Sequence, residues 1–132
     1  RVLARIAPPV APGETGVMIV AFSVQPTGAP SDPSLTRHLG EGADGASVHD
    51  AVAAAVRVVR ESGLPTRTSA MFTEIEGEWD EVMEVVRRAT AEAGRYGSRV
   101  SLVLKADIRP GHDGELDGKV QRMEQALSEL GD

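Results

Sequence analysis

A chain of 132 residues, 41% hydrophobic and 26% charged, has the make-up of one globular domain: too short for two cores and too apolar for disorder. Its net charge of −6 leaves no basic stripe to neutralise phosphates, which argues against nucleic acid and against an anionic membrane surface as partners. The absence of cysteine removes disulfides and thiol nucleophiles, and no apolar run approaches the roughly 18 residues of a membrane-spanning helix, so a cytoplasmic protein is expected.

In chain order, residues 1–15 read as an irregular N-terminal extension rich in Ala and Pro, ahead of one domain over 16–132. Val17 to Gln25 reads as a strand stopped by Pro26 and Gly28, with Met18, Val20, Phe22 and Val24 on one face and Val17, Ile19, Ala21, Ser23 and Gln25 on the other. Thr27 to Ala46 is a long Gly-, Pro- and Asp-rich loop, the kind that is functional or an insertion, with room for one helical turn over Leu35 to Leu39. Ser47 is placed as an N-cap, with Asp50 three residues on. Val48, Ala51, Val52, Ala55, Val56 and Val59 then follow at helical spacing up to Gly63 and Pro65.

Thr66 to Glu76 reads as two short strands closing at Gly77, and Glu78 to Ala93 as a second helix with Trp79, Val82, Val85, Val86 and Ala89 on its apolar face. Val100, Leu102, Leu104, Ala106 and Ile108 alternate with Ser101, Val103, Lys105, Asp107 and Arg109, so one face of that strand belongs to the core and the other is polar. A last helix carries Leu116, Val120, Met123, Leu127 and Leu130 as a narrow stripe, to pack on the domain or on a partner chain. The order βαββαβ plus a C-terminal helix predicts an α+β, ferredoxin-like antiparallel sheet with helices on one face.

The chemistry-bearing patterns are few. Gly40 to Gly45 spells G-x-G-x-x-G, but no strand delivers it to the helix, so it reads as a flexible loop. His38, His49 and His112 lack metal-ligand spacing and read as surface histidines. In the acidic run from Glu74 to Glu84 the helical members suit the helix dipole. Glu74 and Glu76, near a strand end, are left as candidate ligand-binding or acid/base carboxylates. Ser23 has no G-x-S-x-G context for a nucleophilic triad. Lys105, Asp107 and Arg109 place charges about 7 Å apart along one strand face. That face is either a salt-bridge ladder or a polar site to which Ser23 and Gln25 contribute.

Several stretches resemble the thiamine-binding protein family. They are Ile19-Val20-Ala21-Phe22-Ser23-Val24-Gln25-Pro26, Val58-Val59-Arg60-Glu61-Ser62-Gly63-Leu64, Leu104-Lys105-Ala106-Asp107-Ile108-Arg109 and, most of all, Ala70-Met71-Phe72-Thr73-Glu74-Ile75-Glu76-Gly77-Glu78-Trp79-Asp80-Glu81-Val82. The resemblance implies a ferredoxin-like subunit that forms homo-oligomers, dimers or tetramers, through its sheet faces. It implies a pocket for thiamine or its hydroxymethylpyrimidine part, with no reaction and no cofactor beyond that ligand. Carried onto matching positions, the ligand-binding residues are Ser23, Thr73 and Glu76, with Lys105 and Arg109 beside them, and no metal ligand. An acid/base enzyme using Glu76 and a purely structural oligomerisation module are the alternatives. Two features depart from the family's pattern: the loop from Gly28 to Ala46 is longer, and only Phe22, Phe72, Trp79 and Tyr96 are available to stack on a ring.

Overall fold

The computed structural model describes residues 17–30, 32–36 and 46–131. The N-terminal extension, the G-x-G-x-x-G segment and His38 lie outside the described residues. The chain folds as β1 (Met18–Thr27), a short 3₁₀ turn (Pro33–Thr36), α1 (Ala46–Glu61), β2 (Thr66–Thr68), β3 (Thr73–Gly77), α2 (Trp79–Gly94), β4 (Arg99–Ile108) and α3 (Glu115–Glu129). The strands form one antiparallel sheet in the order β2-β3-β1-β4, which is the expected α+β, ferredoxin-like arrangement with a C-terminal helix added.

Period two along β1 divides the molecule into layers. Met18, Val20, Phe22 and Val24 are buried and meet Ala51, Ala55 and Val59 of α1 and Val82, Val85, Val86 and Ala89 of α2. β1 is central because this face is apolar throughout and its neighbours on both sides add to it, Ile75 from β3 and Leu104 from β4. Partners across an antiparallel ladder share a face. The opposite face therefore carries Ile19, Ala21 and Ser23 of β1, Glu74 and Glu76 of β3, Arg67 of β2, and Val103, Lys105 and Asp107 of β4.

Several boundaries differ from the sequence expectation, each for a local reason. β1 runs through Pro26 to Thr27. The last β1–β3 rung is Phe22 with Thr73, so Pro26 lies where β1 has one neighbour, the edge-like setting in which a missing N–H is tolerated. The helical turn in the long loop spans Pro33–Thr36, ahead of the Leu35 to Leu39 expected. Helix α1 already includes Ala46, so Ser47 falls inside it and not at its cap. Trp79 is 49% exposed, because the buried stripe of α2 begins one turn later, at Val82. On β4 only Val100 and Leu104 pack against the core, while Leu102, Ala106 and Ile108 are exposed. β4 is an edge strand, and the helical layer is centred on β1.

Candidate functional site

The polar sheet face is partly roofed by α3, and the roof is held by residues of the sheet itself. Glu76 is 4% exposed, and its Oε2 accepts the backbone N–H of Glu115 at 2.7 Å. A helix N-terminus has unsatisfied N–H groups and a positive dipole end. Here a carboxylate on β3 supplies what an N-cap side chain normally would, since Gly114 occupies the cap position with no side chain. Leu116 is buried against the sheet, Lys119 pairs with Asp107, and Arg67 Nη2 reaches Asp117 Oδ1 at 2.5 Å. The hydrogen bond from Lys119, then its charge, holds the Asp107 carboxyl below its ordinary pKa. Glu115 is held low in the same way, first by its hydrogen bond from Arg122.

Between this roof and the sheet lies an open cleft of about 250 Å³. Ile19 and Ala21 form its floor, Leu116 and Val120 overhang it, and Glu74 and Lys105 stand on either side. The register explains the placement: Ala21 of the central strand pairs with Glu74 on one side and Lys105 on the other. With strands spaced about 4.8 Å apart, the two charged residues are rooted roughly 10 Å from each other across a methyl group. The small side chain of Ala21 leaves the gap. Among the described residues the side chains of Glu74 and Lys105 form no ion pair or hydrogen bond, although Lys105 lends its charge to holding Asp107 low, whereas Asp107, Glu115, Lys119 and Arg67 are all engaged in ion pairs. A planar ligand with N–H donors and ring acceptors matches a carboxylate and an ammonium on either side of a cleft with aliphatic walls.

The five residues carried over from the family resemblance are not brought together. Lys105 lines the cleft, and Arg109 lines a smaller adjoining pocket with Val17, Ile19 and Glu115. Ser23 is on the same face as Ala21, one strand repeat (about 7 Å) beyond the cleft, opposite Val103. Glu76 is occupied in holding α3. Thr73 pairs with Phe22, is buried to 8% exposure, and faces the helical layer on the other side of the sheet. Glu74, a candidate carboxylate by its place in the sequence but absent from the set the family resemblance implies, lines the cleft. Glu74 and Glu76 are equivalent by period two, and which of them caps α3 is decided by where that helix docks. Of the histidines, His49 is exposed on α1, and exposed His112 turns Nδ1 to Pro110 O at 3.2 Å. Among the described residues no three His, Asp or Glu side chains form a metal-binding group. No helix among them is long and apolar enough to cross a membrane.

The sequence model of the family described as "Thiamine-binding protein" matches residues 39–124, a span that contains Glu74, Lys105 and the first two thirds of α3. A UPF0045 protein of Mycobacterium bovis is 45% identical over 111 residues, covering 83% of this chain and 94% of the relative. Among solved structures, the DUF77 domain of unknown function from Bacillus cereus is 28% identical with a TM-score of 0.62, covering 82% of this chain and 91% of that one. A Thermotoga maritima protein provisionally assigned to thiamine biosynthesis or salvage is 20% identical with a TM-score of 0.55, covering 76% and 94%, and shows the shared fold.

Proposed function

We propose, from the premise that this chain belongs to the thiamine-binding protein family, that it binds thiamine through its hydroxymethylpyrimidine part in the cleft between the sheet and α3, without catalysing a reaction. The observation that carries this reading is the unpaired Glu74 and Lys105 flanking Ala21 under an aliphatic overhang. The Glu74 carboxylate accepts from the exocyclic amine of the aminopyrimidine, and the Lys105 ammonium donates to a ring nitrogen. Ile19, Ala21, Leu116 and Val120 cover the ring faces in place of aromatic side chains.

The volume decides how much of the ligand is enclosed. At about 250 Å³ the cleft is below the roughly 300 Å³ at which ligand pockets usually begin, so it holds one substituted ring and leaves the cationic thiazolium outside. There the protein's net charge of −6 favours it. Ser23, on the same face beyond Ala21, is positioned to meet that second ring. The acting form in this reading is a homo-oligomer. Supporting this, Val120, Met123, Leu127 and Leu130 are exposed along α3, and Val103 is exposed on the strand face opposite α1 and α2. A second copy covering them would also close the open cleft.

Calorimetric titration with hydroxymethylpyrimidine and with thiamine tests the reading. Glu74→Gln, which trades a charge-assisted hydrogen bond for a neutral one, should weaken both about tenfold. Ser23→Ala should weaken thiamine alone. Absence of heat from either ligand at millimolar concentration sinks the proposal, and so does equal affinity for wild type and Glu74→Gln.

A further inference from the structure

β4 is the outermost strand on one side of the sheet and pairs with β1 alone. Its ten residues run against β1 without a skipped partner, from Met18 with Ile108 to Thr27 with Arg99, so no bulge twists the edge away. The strand contains no proline, and no backbone group of Arg99–Ile108 bonds to any described residue outside β1. Because alternate residues of an antiparallel strand turn their N–H and C=O to opposite sides, about half of these groups point outward without a strand to meet. Folded proteins blunt an edge of this length with a bulge, a proline, a covering segment or charges, or they pair it with another chain. The charges on β4 are of both signs, and their order decides which chain the edge admits.

The sequence of β4 is complementary to itself. When a strand pairs antiparallel with its own copy, a twofold axis passes through one residue, and every other residue lies opposite the one equally far along on the other side. With the axis at Val103, Arg99 stands opposite the partner's Asp107, Ser101 opposite the partner's Lys105, and Val103 opposite itself. On the helix side Leu102 meets the partner's Leu104, and Val100 meets the partner's Ala106. The neighbouring registers that keep both helical layers on one side are worse. An axis at Leu102 sets Arg99 against Lys105, one at Leu104 leaves Lys105 against Val103 and Asp107 against Ser101, and one at Lys105 sets that lysine against itself. Opposite charges across a ladder stabilise it and like charges destabilise it. Arg99 is exposed and forms no ion pair among the described residues, and Val103 and Leu102 are exposed apolar side chains that this pairing covers.

We propose that two copies of this chain join β4 to β4, antiparallel about Val103, so that their four-stranded sheets become one continuous sheet with both helical layers on the same side. The outward N–H and C=O groups of each edge then find partners in the other. The pairing also completes the cleft under α3, which Lys105 and Asp107 line on the β4 side. One strand spacing away, about 4.8 Å, the partner's Ser101 stands beside Lys105 and the partner's Arg99 beside Asp107. Asp107, already bonded to Lys119, then lies between two cations, and the cleft gains a wall that one copy cannot supply. This gives the homo-oligomer of the proposed function a defined interface. It needs no ligand, so it stands or falls separately from thiamine binding.

The chain has no cysteine, so single-cysteine variants of the full chain, without ligand, report the register. Val103→Cys, at an exposed position, sets two thiols directly opposite each other at the axis, within the roughly 4.4–6.8 Å between Cα atoms that a disulfide spans. It should cross-link readily on oxidation with diamide. Ser101→Cys and Lys105→Cys each leave their two thiols four residues out of step, roughly 13 Å apart, and should not cross-link alone, whereas a mixture of the two should yield the mixed disulfide. Sedimentation equilibrium reads the charge pair: Arg99→Asp, at an exposed position without an ion pair among the described residues, should weaken the dimer at least tenfold. Cross-linking of Val103→Cys no faster than that of Ser101→Cys, no mixed disulfide, an Arg99→Asp dimer as tight as wild type, or a wild-type chain that sediments as a monomer at millimolar concentration would each overturn the proposal.

Discussion

Replacing Glu76 by alanine tests whether this carboxylate is an anchor for α3. The bond it accepts from Glu115 N–H is short, buried and charge-assisted, the class whose loss costs about 1.5–3 kcal/mol. The remaining attachment consists of the burial of Leu116, about 2 kcal/mol, and two exposed ion pairs, Arg67–Asp117 and Lys119–Asp107, each under about 1 kcal/mol. Glu76 therefore supplies about a quarter to three-fifths of what holds the helix down. Its removal should raise the detached population of α3 by about 10- to 150-fold, since about 1.4 kcal/mol is a factor of ten. Hydrogen exchange reads this directly: amides of Gly118 to Arg122 should exchange faster by that factor, while those of Val20, Ile75 and Val59 in the core change little. Glu76→Gln, which keeps an acceptor, should lose only the dipole interaction of roughly 0.3–1 kcal/mol. If α3 exchange is the same in Glu76→Ala and wild type, the anchoring argument is refuted and Glu76 is again free to bind a ligand.

Two further outcomes follow from the geometry. A Cβ at Gly97 would lie 2.5 Å from Thr27 O and 2.9 Å from Thr27 N, so Gly97→Ala should destabilise the domain by about 1–3 kcal/mol through displaced backbone, measured by urea denaturation at constant m-value. The pH response has a fixed sign. Asp107 and Glu115 have depressed folded pKa values, so their contribution is complete above the ordinary carboxylate range near pH 4 and is lost as pH falls through the depressed values below it. Amide signals of α3 should lose protection on acidification before those of β1 and α2, and simultaneous loss would contradict the assignment.

The period of each segment made the sheet, its order and its buried face legible. Met18, Val20, Phe22 and Val24 alternate, α1 and α2 carry apolar stripes, and β4 repeats its pattern for five cycles. Alternation says which residues share a face but not how well that face is covered, which is why Leu102 and Ile108 read as core yet lie exposed on an edge strand. The site was less legible. Thr73 sits one position from Glu74, and that single step sends it to the opposite side of the sheet. Glu76 and Glu74 share a face and differ only in what α3 does to them, a tertiary fact with no local signature.

The central claim, that the pyrimidine is held between Glu74 and Lys105 beneath α3, is tested most directly by mapping ¹H–¹⁵N shifts on titration with hydroxymethylpyrimidine. The account predicts the largest changes at Ala21, Glu74, Lys105, Leu116 and Val120, abolished or much reduced in Glu74→Gln. Changes confined to Ala53, Ala54 and Tyr96, or to Thr73 and its neighbours on the helix-covered face, would place the ligand on the wrong side of the sheet and contradict it.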